Sequence, residues 1–206
     1  MHAFTADAPP VLPCWIHGRA FISLNQRFVE VRDRNGKVLR RTPRCGKDEI
    51  AEAQASARAA LPVWAAKSAR ERHEFLARWG NALESHAAHF ARLLREETRK
   101  SEAAAEKEVA ASVAVLRTPA HPCPDSCLDA GRIVSRAWGR RRPLADAARL
   151  FAPILAAGSV IIANPCASAP SAAFALCELS ARIGLPPGVV NLVFADRKTV
   201  DKGQES

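Results

Sequence analysis

The residues with the means to hold a small molecule gather at Asn164-Pro165-Cys166. A short apolar run, Val160-Ile161-Ile162-Ala163, leads into them, and a second proline and a helix-like segment follow. Strand, loop and helix in that order build a nucleotide pocket at the carboxyl end of a parallel strand. An amide can donate to and accept from a ligand, and a thiol close to a helix start can ionise. Yet the loop has no lysine, no acid and no glycine-rich turn. It reads as a nucleotide pocket that has lost its contacts.

Other chemistry-bearing groups are weaker. His121, Cys123 and Cys127 lie in HPCPDSC, within zinc-ligand spacing, but a fourth ligand has no second pair to come from. A proline-rich loop is the reading we adopt, and we assign no metal site. The same two cysteines could join as a disulfide only under oxidising conditions. His86 and His89 are three apart and lack an acid or third histidine set to share a metal, so they read as surface residues. Glu97 and Glu102 read as acids on a helix surface. Arg140, Arg141 and Arg142 precede a helix start, where cations and the macrodipole would together attract an anion, against mutual repulsion and solvation. No catalytic residue is assigned.

These groups need a frame. The chain has 206 residues, 48% hydrophobic and 25% charged, enough for one good core or two small ones. Alanine supplies much of the apolar count, beside 8 Phe, 4 Trp and no Tyr, which favours helices over an aromatic-rich sheet. The net charge is +9 and the pI about 9.8. Arginines are spread widely, densest at Arg136 and Arg140 to Arg142, with no nucleic-acid recognition motif beside them. We read a solvated basic surface without nucleic-acid binding. Six cysteines are irregularly spaced and the start, MHAFTADAPP, lacks a signal-peptide core. No apolar run nears the ~20 residues that span a bilayer. The expectation is a cytoplasmic protein with reduced thiols and no membrane association.

Along the chain, residues 1–13 read as a flexible arm. Cys14 to Ile22 and Arg27 to Asp33 are strand-like, and Asn35-Gly36 between Phe28–Val31 and Val38-Leu39 signals a hairpin. From Lys47, the spacing of Ile50, Ala53, Ala57, Leu61 and Trp64 predicts a helix that Pro62 kinks or ends near Ala60. Ser68 and Glu71 form a capping box for the next helix. Further helices start at Ser85 and Ser101. Residues 119–130 form a linker. Then come strand Arg132–Val134, helix Pro143–Ala156, strand Ser159–Ala163, helix Ser171–Ile183 closed by Gly184, and strand Val189–Phe194. Strands separated by helices imply a parallel sheet with right-handed crossovers. The fold class is α/β: a partial Rossmann-like three-layer parallel sheet (131–196), preceded by a β-hairpin and helical segment (14–118) and followed by a polar tail (197–206).

Several stretches in this order resemble the NAD(P)-dependent aldehyde dehydrogenases. Trp15-Ile16-His17-Gly18 is similar to their first strand, and ALPVWAAKSARERHEFLARWGNALESHAAHFARLLREETRKS to their helical segment, with Glu97-Thr98-Arg99-Lys100 in place of a Glu-Thr-Gly-Lys run. PLADAARLFAPILAAGSVIIANP resembles the helix and strand before their adenosine site, and GLPPGVVNLVFAD the approach to the third strand. The resemblance implies NAD or NADP as cofactor, with Asn164, Pro165, Cys166 and Trp138 as vestigial binding positions. It also exposes departures. The family's adenosine loop reads Lys-Pro-Ser-Glu, its lysine and acid touching ribose hydroxyls; here stand Asn164, Pro165, Cys166 and Ala167, with Cys166 a small residue in place of the serine. The family's Pro-Trp-Asn, whose amide serves the oxyanion, is met by Ala137-Trp138-Gly139. Its nucleophilic cysteine, glutamate base and Gly-Ser turn lie later in the family's order than Ser206.

The resemblance therefore implies a truncated member that binds NAD(P) weakly or not at all and is catalytically incompetent alone. Its role would be that of a structural or interaction module, with a homo-oligomer contact or a protein partner covering apolar surface. The alternative is an NAD(P)-dependent aldehyde oxidoreductase subunit completed by another chain. A third class, an anion- or nucleic-acid-binding module, would show steeply salt-dependent binding.

Overall fold

The computed structural model describes residues 9–24, 27–118 and 131–196. The elements are β1 (Cys14–Ile16), β2 (Arg19–Phe21), β3 (Phe28–Arg32), β4 (Val38–Pro43), α1 (Lys47–Ala65), α2 (Ala69–Ser85), α3 (Ala87–Thr98), α4 (Glu102–Arg117), β5 (Ile133–Trp138), α5 (Pro143–Ala156), β6 (Val160–Pro165), α6 (Ser171–Arg182) and β7 (Val190–Leu192). A five-stranded sheet has the order β2-β1-β7-β6-β5, and β3 and β4 form a separate hairpin. The strands β5, β6 and β7 are parallel, while β1 runs antiparallel to both β2 and β7. The parallel α/β unit is thus the one the sequence predicts. The linker 119–130, with His121, Cys123 and Cys127, and the tail 197–206 fall outside the described residues.

Local chemistry sets most boundaries. Cys14 to Ile22, one strand by pattern, is two strands, because His17 (φ 56°) and Gly18 (φ 70°) turn the backbone back on itself. Pro10 to Leu12 run beside β4, with backbone bonds from Leu12 to Arg41 and from Arg41 to Pro10, each 2.8 Å. Ser68 and Glu71 cap α2 reciprocally, Glu71 N–H to Ser68 Oγ at 3.3 Å and Ser68 N–H to Glu71 Oε2 at 2.8 Å. Pro62 does not end α1 near Ala60; the helix runs on to Ala65. Trp64 explains why, since its indole is fully buried and donates to Leu155 O at 3.1 Å. That anchor outweighs one lost helical bond.

The layers follow from the crossovers. Two right-handed βαβ units put α5 and α6 on the same face, where they pack on each other and on α2. Helix α1 covers β5, β6 and β7 from the other face. The buried Asn191 in β7 joins this layer to the sheet. Its Oδ1 accepts from His17 N–H (3.1 Å) and Ser56 Oγ (2.9 Å), and its amide donates to Gly188 O (2.8 Å). Gly188, with φ 87°, makes that approach possible: a Cβ there would sit 2.6 Å from Ser56 O.

The N-termini of α5 and α6 are closed by carboxylates from the helical segment. Glu108 of α4 accepts from the Leu144 and Ala145 N–H groups at 3.0 and 3.1 Å, and pairs with Lys100. Glu97 of α3 accepts from Ser171 N–H at 3.0 Å and Ser171 Oγ at 2.5 Å, with Arg40 Nη1 3.6 Å away. At the other end of α5, Arg72 Nε donates to Ala156 O at 2.8 Å. Helix α5 thus has an anion at its positive end and a cation at its negative end. Glu97 is 2% exposed, not the surface acid that its helix pattern suggests. Glu102 does lie at the surface, 3.5 Å from Arg95.

Two expectations follow. Replacing Asn191 by Ala leaves the His17 N–H and Ser56 hydroxyl without their acceptor, and should cost about 2–3 kcal/mol in urea unfolding. For Glu97, burial raises the carboxyl above its ordinary value of 4.5, against the opposing pull of Ser171 and Arg40. The folded chain then holds the proton more tightly than the unfolded chain. The stability from this group is full below the ordinary value and declines as pH rises through the raised one. Wild type should therefore lose stability relative to Glu97→Gln as pH rises above the ordinary carboxyl value, read from urea midpoints; a wild type that gains on Glu97→Gln with rising pH would contradict this.

Candidate functional site

A cavity of about 480 Å³ opens where β5 and β6 end and the chain leaves β7. Its wall is built from Ala137, Trp138 and Gly139, from Asn164 to Ala167, and from Phe194, Ala195 and Asp196. Val29 of the hairpin and Arg44, which follows β4, complete it. The site lies at the carboxyl ends of parallel strands, where open α/β sheets place their ligands. All four residues singled out from sequence, Trp138, Asn164, Pro165 and Cys166, line it.

Their side chains are largely engaged by the protein. Asn164 Nδ2 donates to Ala195 O at 2.9 Å, and Asn164 Oδ1 accepts from Ala195 N–H at 3.0 Å. The amide therefore acts as a strand partner for Ala195 and retains one N–H for anything in the cavity. Trp138 Nε1 donates to Pro143 O at 2.9 Å, and the indole meets Phe151 edge-on at 5.9 Å. Half-buried Cys166 has its sulfur 3.2 Å from Ser168 Oγ.

Sequence reasoning missed the two charged groups on the wall. Arg44 Nη2 lies 3.3 Å from Asp196 Oδ1, and the two are 152 positions apart. No local pattern joins residues so distant; only the bridge between Cys45 and Ala195 brings them together. Both side chains are more than half exposed, so the pair adds little stability but places a cation and an anion at the mouth.

The arginine run does not form an anion site at the α5 N-terminus. Glu108 already occupies that position, Arg140 turns to Glu97 O at 3.2 Å, and Arg142 lies 3.5 Å from Asp146. His86 Nδ1 is 2.9 Å from Ala82 O, and His89 Nδ1 is 3.1 Å from Arg92. Burial and the Arg92 charge push the His89 pKa down. Among the described residues no group of three or more His, Cys, Asp or Glu is placed to hold a metal ion. Cys177, fully buried in α6, has its thiol pushed up by burial and is inert.

Comparison with known proteins agrees with this geometry. The Aldehyde dehydrogenase family matches over residues 21–140 and 141–203. The chain is 31% identical over 197 residues to the succinate-semialdehyde dehydrogenase (NADP(+)) of Escherichia coli (strain K12), covering 86% of this chain and 40% of that protein. It is also 31% identical over 176 residues to the 2-aminomuconic semialdehyde dehydrogenase of Homo sapiens, covering 77% of this chain and 36% of that protein. The crystal structure of succinate-semialdehyde dehydrogenase from Burkholderia pseudomallei superposes with a TM-score of 0.83 at 28% identity, over 91% of this chain and 42% of that one. The chain spans about two fifths of the length of these relatives. Cavity, strand order and sequence lead to one conclusion: the chain belongs to the aldehyde dehydrogenase family.

Proposed function

We propose that these residues form the cofactor side of an aldehyde dehydrogenase fold, bind NAD or NADP weakly through the strand-end cavity, and do not oxidise aldehydes by themselves. The observation that carries this reading is the Asn164 amide. It is committed to Ala195 at the position where the family's loop presents a lysine. Ala167, at the acid's position, has no acceptor for a ribose hydroxyl. What the wall still offers is the exposed part of the Trp138 indole, one amide N–H, and the Arg44 and Asp196 charges at the mouth. Those groups suit the adenosine end of a dinucleotide, Asp196 accepting from a hydroxyl and Arg44 facing a phosphate.

A bound nicotinamide would supply the hydride acceptor. Hydride transfer from an aldehyde also needs a thiolate to form the hemithioacetal and a base to activate water. The half-buried Cys166 sits on the adenosine loop, and the other described cysteines, Cys14, Cys45 and Cys177, are buried. None of them is placed as a nucleophile toward an aldehyde.

The role we assign is that of a structural or interaction module, in two units: residues 14–118 as the hairpin and helical segment, and 131–196 as the βαβαβ unit. Among the described residues strand β2 is a sheet edge, and the Ile22 and Leu24 that follow it are 79% and 94% exposed. Apolar side chains so exposed favour a second copy or a protein partner there. The same feature supports the second reading, in which another chain completes an oxidoreductase. Among the described residues no helix is long and apolar enough to cross a membrane, and the four described cysteines are free thiols. We place the protein in the cytoplasm.

Calorimetric titration with NAD and NADP tests the proposal. The wild-type chain should bind in the millimolar range or weaker, at about −4 kcal/mol. Ala167→Glu should tighten binding by about tenfold, the worth of one charged hydrogen bond to a ribose hydroxyl. Micromolar affinity in the wild type would overturn the lost-contact reading. An unchanged affinity in Ala167→Glu would remove the adenosine assignment from this cavity.

A further inference from the structure

We propose that Cys14 and Cys45 form a peroxide-sensitive disulfide site that clasps the first strand to the wall of the cavity. The inference stands on the geometry of the thiols and is independent of cofactor binding. Two free cysteines from different elements, 31 positions apart, bring their sulfurs within 3.2 Å of each other. Cys14 is in β1 and wholly buried, while Cys45, between β4 and α1, is 7% exposed. Two buried thiols in contact, of which Cys45 is the slightly more exposed, are arranged for bond formation once a small oxidant arrives.

The surroundings give the two sulfurs different roles. Cys45 Sγ accepts from the Phe194 N–H at 3.3 Å, and the Cys45 N–H donates to Phe194 O at 2.8 Å. Either thiol can donate to the other; with Cys14 as donor, Cys45 Sγ accepts from both Cys14 and the Phe194 N–H. The Cys14 S–H bond stabilises the thiolate of Cys45 and lowers its pKa. The same bond, with burial, raises that of Cys14. Cys45 is accordingly the attacking sulfur, and it is also the less buried one.

The chemistry balances with hydrogen peroxide as oxidant. The Cys45 thiolate attacks one peroxide oxygen and the O–O bond breaks. The departing hydroxide takes up a proton as water, leaving a sulfenic acid on Cys45. The Cys14 sulfur then attacks the Cys45 sulfur, forming the S–S bond and breaking S–O. The second oxygen leaves as water with the Cys14 proton. Two thiols lose two electrons in total, and one peroxide is reduced to two waters.

The position gives the bond a consequence. Cys45 is bridged to Ala195, and its neighbours Arg44 and Phe194 both line the cavity. A covalent link would close the loop that carries β2, β3 and β4, and tie β1 to the strand segment bearing Phe194. Closing such a loop restricts the unfolded chain and favours the folded one.

The test is peroxide treatment of the reduced, folded, full chain, followed by alkylation and non-reducing peptide mapping. A Cys14–Cys45 cross-linked peptide lacking two hydrogens, reversed by dithiothreitol, is the expected product. The oxidised chain should also unfold at higher urea, and reduction should restore the original midpoint. In Cys14→Ser, a dimedone adduct should collect on Cys45. Oxidation confined to Cys166, or a sulfinic acid at Cys45 in the wild-type chain without the cross-link, would overturn the proposal. If Cys14→Ser fails to fold, the wild-type peptide map decides alone.

Discussion

Two buried carboxylates at two helix starts hold the two halves of the described chain in their relation. Moving a carboxylate out of water costs several kcal/mol unless donors replace the lost hydration. Helix N-termini have such donors in surplus, because their first N–H groups lack partners within the helix. Glu108 accepts from two such N–H groups, and Glu97 accepts from one and from a hydroxyl, which offsets its burial only in part. Each comes from the helical segment and is satisfied at the first turn of a helix of the βαβαβ unit. Neither half carries the complementary group alone, so forming each cap requires the other half. The docking of α3 and α4 on α5 and α6 is thereby directional, which apolar packing alone would not make it.

That docking shapes the cavity as well. With Glu108 on α5, the helix beside the Trp138 loop presents a neutralised end to the site. An incoming anion meets a closed helix terminus there, while the Arg44–Asp196 pair lies at the mouth. The Asn164 clamp works in the same direction. An asparagine side chain can mimic a peptide group, and here it extends the hydrogen bonding between the β6 end and Ala195. The short amide at this position directs its hydrogen bonds to the backbone. The two contacts tie the end of β6 to Ala195.

The described sheet has two unlike edges. On one side β2 is short and leads into exposed Ile22 and Leu24; on the other, β5 has only β6 as neighbour among the described residues. The described residues make one continuous apolar core.

The sequence by itself determined the elements and their order. Apolar spacing, the Ser68–Glu71 box, the Asn35-Gly36 hairpin and Gly184 after α6 are local signals, acting over a few residues, and each lies where the sequence predicts. The strand-end loop was legible for the same reason, since Asn164, Pro165 and Cys166 are contiguous. The tertiary structure alone decided what those residues face. Glu97 has a surface acid's sequence context, and only the approach of α6 buries it. Pro62 is a helix breaker until Trp64 finds Leu155. Arg44 meets Asp196, Cys14 meets Cys45, and Asn191 meets both His17 and Ser56 across long stretches of chain. Local propensity is a property of neighbours in sequence, whereas desolvation, hydrogen-bond partners and pKa belong to neighbours in space.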